Sequence, residues 1–218
     1  MHYHLEVVVP FTETFKNNIR ESLEKALAPF GPDGDICLWD YFKIGGRYSG
    51  SKLIASIPDH ESRLNDFYEE LKKRKITVSF IRAGKDSLEP KFQEKEVDAL
   101  WQEMFPGFGD VCPIFEHAGQ ILPMDVCSFS KVPPCLKSNS VLILTPSLEE
   151  NQERFYKPSF LIQDQVWNGV NFIKTQWNTT FSHALKLYKE KNKSFPKEIQ
   201  KWMTPDETWY CITVDYHS

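Results

Sequence analysis

Apolar positions along this chain alternate between a period of two and a period near 3.6, and the switches mark its elements. Tyr3 to Val9 is rich in β-forming residues and halts at Pro10, which predicts a first strand. Phe15, Ile19, Leu23, Ala26 and Leu27 then share one helical stripe. Thr12 or Thr14 can cap its start, and Pro29, Gly31 and Pro32 close it. Ile36 to Phe42 predicts a second strand and Leu53 to Ile57 a third, stopped by Pro58. The glycines between them predict a hairpin with an enlarged tip. A helix over residues 59–73 carries Leu64, Phe67 and Leu71 on one face, and Ile76 to Arg82 alternates like a strand. The resulting β-α-β-β-α-β order is that of a ferredoxin-like plait.

The second half is less regular. Glu94 to Phe105 suits a helix carrying Val97, Leu100, Trp101 and Met104. Residues 106–139 hold five prolines and three glycines without a clear period, a long irregular connection of the kind that often forms a lid or binding segment. Val141 to Leu144 and Phe160 to Ile162 read as short strands, and Trp209 to Tyr216 as a closing one. Phe172 to Lys191 reads as a helix with Ile173, Trp177, Phe181, Leu185 and Tyr188 on one stripe, and residues 197–203 as a brief second one. The expected fold class is α+β. A ferredoxin-like N-terminal part spans 1–105, an irregular connection 106–140 and a C-terminal α/β part 141–218, the halves sharing a mixed or antiparallel sheet.

Composition narrows the function classes. At 218 residues the chain suits one large domain or two small ones, and 41% hydrophobic with 26% charged residues is ordinary for a globular protein. The formal net charge of −4 supplies no basic field, so no nucleic-acid partner is expected. The one basic cluster, Lys72 to Lys75, closes a predicted helix, where cations complement the helix dipole. Cys37, Cys112, Cys127, Cys135 and Cys211 form no C-x-x-C pair, which gives zinc ribbons and redox motifs no support. Neither a signal peptide nor an apolar run of membrane-spanning length is visible, so the chain reads as cytoplasmic, without a membrane partner.

The segment from Trp39 to Lys52 holds the densest candidate chemistry. Consecutive glycines let backbone amides converge on an anion, and Arg47 can add a bidentate clamp. Gly45, Gly46, Arg47 and Ser49 are thus the candidate phosphate contacts, with Trp39, Tyr41 and Tyr48 available to stack on a base. Gly45 and Gly50 have the spacing of a Walker A loop, but Ser51-Lys52 is reversed and the next segment reads as strand, so that motif is rejected. In the competing local reading, Arg47 pairs with Asp40 across a hairpin tip.

The chain ends offer a second constellation. His2 and His4 share a face of the first strand, and Asp215 and His217 share a face of the last. If the two strands are neighbours, three imidazoles and a carboxylate meet. Such a set suits a divalent transition metal or acid–base work near neutral pH, and the second use is the stronger expectation. No metal ligand set is assigned. His217 is the candidate acid or base, with Asp215 orienting it.

The block from Asp40 to Gly50 resembles a group of uncharacterised bacterial and phage proteins that carry an Ile-Gly-Gly-Arg-Trp-x-Gly core after an aromatic pair. Those proteins also tend to end in a Val-Asp-x-His strand, here Val214 to His217. Thr145-Pro146 and Trp177 are similar too, while Tyr48 stands where tryptophan is usual. The resemblance implies that the glycine turn and the terminal Asp-x-His belong to one unit facing one site. It also makes a role in phage–host conflict conceivable.

Three readings follow. The first is a soluble protein binding a phosphate-bearing small molecule, a nucleotide foremost. The second is a phosphoester hydrolase working through His217 and Asp215. The third is an inhibitor or partner-binding protein that uses the 106–139 segment as its contact surface. No cofactor is assigned.

Overall fold

A computed structural model gives the fold. It describes residues 2–10, 17–34, 39–78, 93–115, 121–122, 124–144, 180–183, 186, 190 and 208–217, and the backbone of 145–146, 156–162, 165–167 and 172–174. The architecture is mixed α/β, built on one mixed sheet. Strand β1 (His2–Pro10) is an interior strand, antiparallel to β8 (Trp209–His217) on one side and parallel to β4 (Ser140–Pro146) on the other. Beyond β4 run β5 (Tyr156–Ile162), β6 (Gln165–Trp167) and β7 (Phe172–Lys174), successively antiparallel. The outer side of β8 is shared by β2 (Tyr41–Ile44) and β3 (Val126–Ser128). The sheet order is β2-β8-β1-β4-β5-β6-β7, with β3 joined to β8.

Alternation along β1 and β8 sorts their side chains onto two faces. Leu5, Val7, Val9, Ile212, Val214 and Tyr216 are buried in one core cluster. Helix α1 (Ile19–Leu27) covers that face, adding Leu23, Ala26 and Leu27. Asn18 caps α1 by accepting a hydrogen bond from the Glu21 amide; Thr12 and Thr14 lie outside the described residues. A second cluster forms where α3 (His60–Lys73) meets α4 (Glu94–Met104), with Phe67, Leu71, Leu100, Trp101 and Phe105 at its heart. The basic end of α3 is neutralised by Glu69, Glu70 and Glu103, Arg74 bridging the last two.

The ferredoxin-like order is not confirmed. Where the third strand was expected, Ser51–Ser56 forms helix α2, entered through the left-handed Gly50 at φ 77°. The short apolar run from Leu53 to Ile57 has no period that separates strand from helix; in the helix Lys52 and Leu53 are buried, Lys52 against Glu6 and Thr213 of the sheet. The predicted hairpin is absent in consequence, since β2 takes β8 as its partner. Residues 76–78 are not strand, and 79–82 lie outside the described residues. Phe172–Lys174 is strand β7 rather than a helix start, and helical geometry appears at 181–183. The brief helix expected over 197–203 also lies outside the described residues.

Candidate functional site

The other face of β1 and β8 is polar. Its rows follow from register: His2 lies opposite His217, His4 opposite Asp215 and Glu6 opposite Thr213. On the far side of β8, Tyr41 lies opposite His217 and Lys43 opposite Asp215. The chain ends are therefore neighbouring strands, and their histidines and carboxylate do meet.

Deepest in this face is a fully buried ion pair. Glu6 Oε2 accepts from Lys52 Nζ at 2.6 Å, both side chains 0% exposed. Glu6 also receives Thr213 Oγ1 at 2.8 Å, Cys211 Sγ at 3.1 Å and the His4 ring at 2.7 Å. Lys52 donates further to Thr213 Oγ1 and to the Asp125 carbonyl. Burial alone would raise the Glu6 carboxyl, but the Lys52 ammonium outweighs it with help from His4 and brings it down to about 2. Burial likewise pulls Lys52 down, and Glu6 overcomes it, holding the ammonium above its ordinary range. The pair is charged, and it bolts α2 onto β1.

The glycine turn sits directly above. Gly46 adopts φ +54°, and a Cβ placed there would lie 2.4 Å from Asp215 Cβ. Only glycine permits that approach. The turn's amides are engaged within the chain. Arg47 N–H donates to Asp215 Oδ2 at 3.2 Å and Gly50 N–H to Asp125 Oδ1 at 2.7 Å. Gly45 N–H donates to the Thr213 carbonyl, Tyr48 N–H to Gly45 and Ser49 N–H to Gly46. The Ser49 hydroxyl donates to Asp125 Oδ2. Burial raises the Asp125 carboxyl despite these donors. The turn is thus an anion cradle, and the anions it holds are the protein's own Asp215 and Asp125.

At the open end stand two histidine–carboxylate pairs. His2 Nδ1 meets Asp215 Oδ1 at 2.9 Å, and His217 Nδ1 meets Asp40 at 2.8 and 3.0 Å. The two imidazoles lie edge to face with centroids 5.1 Å apart. The hydrogen bond from His217 lowers the Asp40 carboxyl from its ordinary value. Tyr48 stacks on His4 at 4.7 Å and donates its hydroxyl to the His2 carbonyl at 3.1 Å. Burial, with Asp215 nearby, raises the Tyr48 phenol.

Several expectations need correcting. Asp215 meets His2 rather than His217, and Asp40, just before β2, meets His217 from the other side of β8. Asp40 consequently does not pair with Arg47, which is exposed. Trp39 is 3% exposed and packed between Phe30 and Tyr216 in the core, so its ring is not offered to a ligand. Tyr41, by contrast, is 48% exposed beside His217. The Walker A reading stays rejected on a different ground: α2 is a helix, but Lys52 is sealed against Glu6. Glu6, Lys52 and Asp125 were missed as a unit. An acidic residue sharing a strand face with His2 and His4 was the available signal. Glu116 and His117 lie outside the described residues.

Among the described residues no group of His, Cys, Asp or Glu could hold a metal ion, and no helix is long and apolar enough to cross a membrane. Comparison with protein-family models, curated proteins and solved structures finds no match.

Proposed function

We propose that this protein binds a phosphate-bearing small molecule, a nucleotide foremost, at the open end of β2, β8 and β1 and cleaves its ester bond there by acid–base catalysis. The observation that carries the reading is the pair of adjacent imidazoles, each with Nδ1 fixed by its own carboxylate. A carboxylate at Nδ1 sets the tautomer and leaves Nε2 as the working nitrogen. Nε2 of His2 has no partner among the described residues.

In this scheme one neutral imidazole takes a proton from water as its oxygen bonds to phosphorus. The other, as imidazolium, gives a proton to the ester oxygen as the P–O bond breaks. Arg47, exposed on the turn, steadies the phosphate with its guanidinium. The exposed Tyr41 ring, next to His217 in register, offers a surface for a base. The Gly45 and Gly46 turn acts indirectly, by presenting Arg47 and clamping Asp215.

Incubation with a panel of nucleotides and other phosphate mono- and diesters tests this, reading both turnover and affinity. Turnover that collapses in His2→Ala and in His217→Ala, and affinity that weakens in Arg47→Ala, is the expected result. Binding without turnover reduces the site to a receptor. Neither binding nor turnover across the panel removes the reading.

A further inference from the structure

Below Glu6 the polar face ends in two thiols. Cys127 on β3 lies directly opposite Cys211 on β8 in an antiparallel ladder, which puts both side chains on one face. Residues opposed in this way have Cα atoms about 4.5–5.5 Å apart, inside the roughly 4.4–6.8 Å that a disulfide spans. Both are free thiols and both are buried. Cys211 spends its S–H on Glu6 Oε2 at 3.1 Å. Strand β3 is three residues long and joins the sheet through β8, at its outer side.

We propose that Cys127 and Cys211 form a reversible disulfide that staples β3 to β8. An external disulfide such as oxidised glutathione supplies the oxidising equivalents. One cysteine thiolate attacks it, releasing a glutathione thiolate and leaving a mixed disulfide. The second cysteine then attacks that bond and releases the other glutathione. One S–S bond is broken and one formed, and the two cysteine protons end on two glutathione thiols. The staple would sit two residues from Asp125, whose carboxylate holds the Gly50 amide and the Ser49 hydroxyl. Oxidation would therefore fix the foot of the glycine turn and withdraw one donor from Glu6. The proposal does not depend on what the two histidines do.

The test is equilibration of the folded protein across a series of reduced-to-oxidised glutathione ratios, followed by intact mass and non-reducing peptide mapping. A species lighter by roughly 2 Da, linked through Cys127 and Cys211, is expected. It should unfold roughly 5–15 °C higher than the reduced form, as closure of so long a loop implies. Cys127→Ser and Cys211→Ser should each abolish that species. Three results would overturn the proposal: glutathione on the exposed Cys135 with no mass loss at the most oxidising ratio, a link mapped to other cysteines, or a mass loss that survives in Cys127→Ser. Because the wild-type mapping stands alone, a serine variant that fails to fold does not decide the question.

Discussion

Strands β1 and β8 present two faces of opposite character. On one, Leu5, Val7, Ile212 and Val214 pack under α1, and the requirement is shape and volume. On the other, Glu6, Lys52, Thr213, Asp215 and the histidines lie under the glycine turn and α2, and each needs a partner. The apolar face tolerates substitutions of similar volume. The polar face does not, because a lost partner leaves a charge in a medium that cannot solvate it. One face supplies cohesion. The other fixes where the turn, and with it Arg47 and Asp215, must sit.

The largest expected effect comes from breaking the buried pair. Lys52→Met should destabilise by about 3–5 kcal/mol, because it strands the Glu6 carboxylate. The double variant Glu6→Leu/Lys52→Met should recover much of that loss. On the apolar face, Leu5→Ala should cost about 2–5 kcal/mol with no second-site rescue of this kind. Urea titration of the four proteins measures the contrast. A double variant no more stable than Lys52→Met would erase it.

Acid should separate the faces next. The Glu6 carboxyl sits at about 2 in the fold against its ordinary 4.5. A lowered folded value means stability that is complete above about 4.5 and drains away as pH falls toward about 2. The amount is about 3 kcal/mol. Asp125, raised by burial, contributes with the opposite sign. The difference between wild type and Glu6→Gln therefore isolates the Glu6 part, and parallel stability curves for the two proteins would refute it.

Gly46→Ala should have the smaller effect of about 1–3 kcal/mol, from a side chain forced to positive φ against Asp215. Its signature is local. The His2 and Arg47 environments, followed by NMR, should shift, while the α1 face stays unchanged.

How much of this was legible beforehand depended on sequence distance. The periods of β1, β8, α3 and α4 are strong, and each element lies within a few residues of where its pattern put it. Helix α2 was not legible, because six residues rich in apolar side chains carry no decisive period. The positive φ of Gly46 and Gly50 followed from residue type, but the acceptors of the turn's amides did not. Those acceptors, Asp215 and Asp125, come from strands and loops far along the chain, and only register reveals them. The same reason hid the exchange of partners between His2 and His217, since strand alternation gives a face but not a diagonal.

The two-histidine site is tested most directly by single-turnover cleavage of whichever phosphate ester the protein binds, compared among wild type, His2→Ala and His217→Ala at matched stability. Loss of about a hundredfold or more in each variant, with affinity retained, is the predicted result. Wild-type rates in His2→Ala would contradict it.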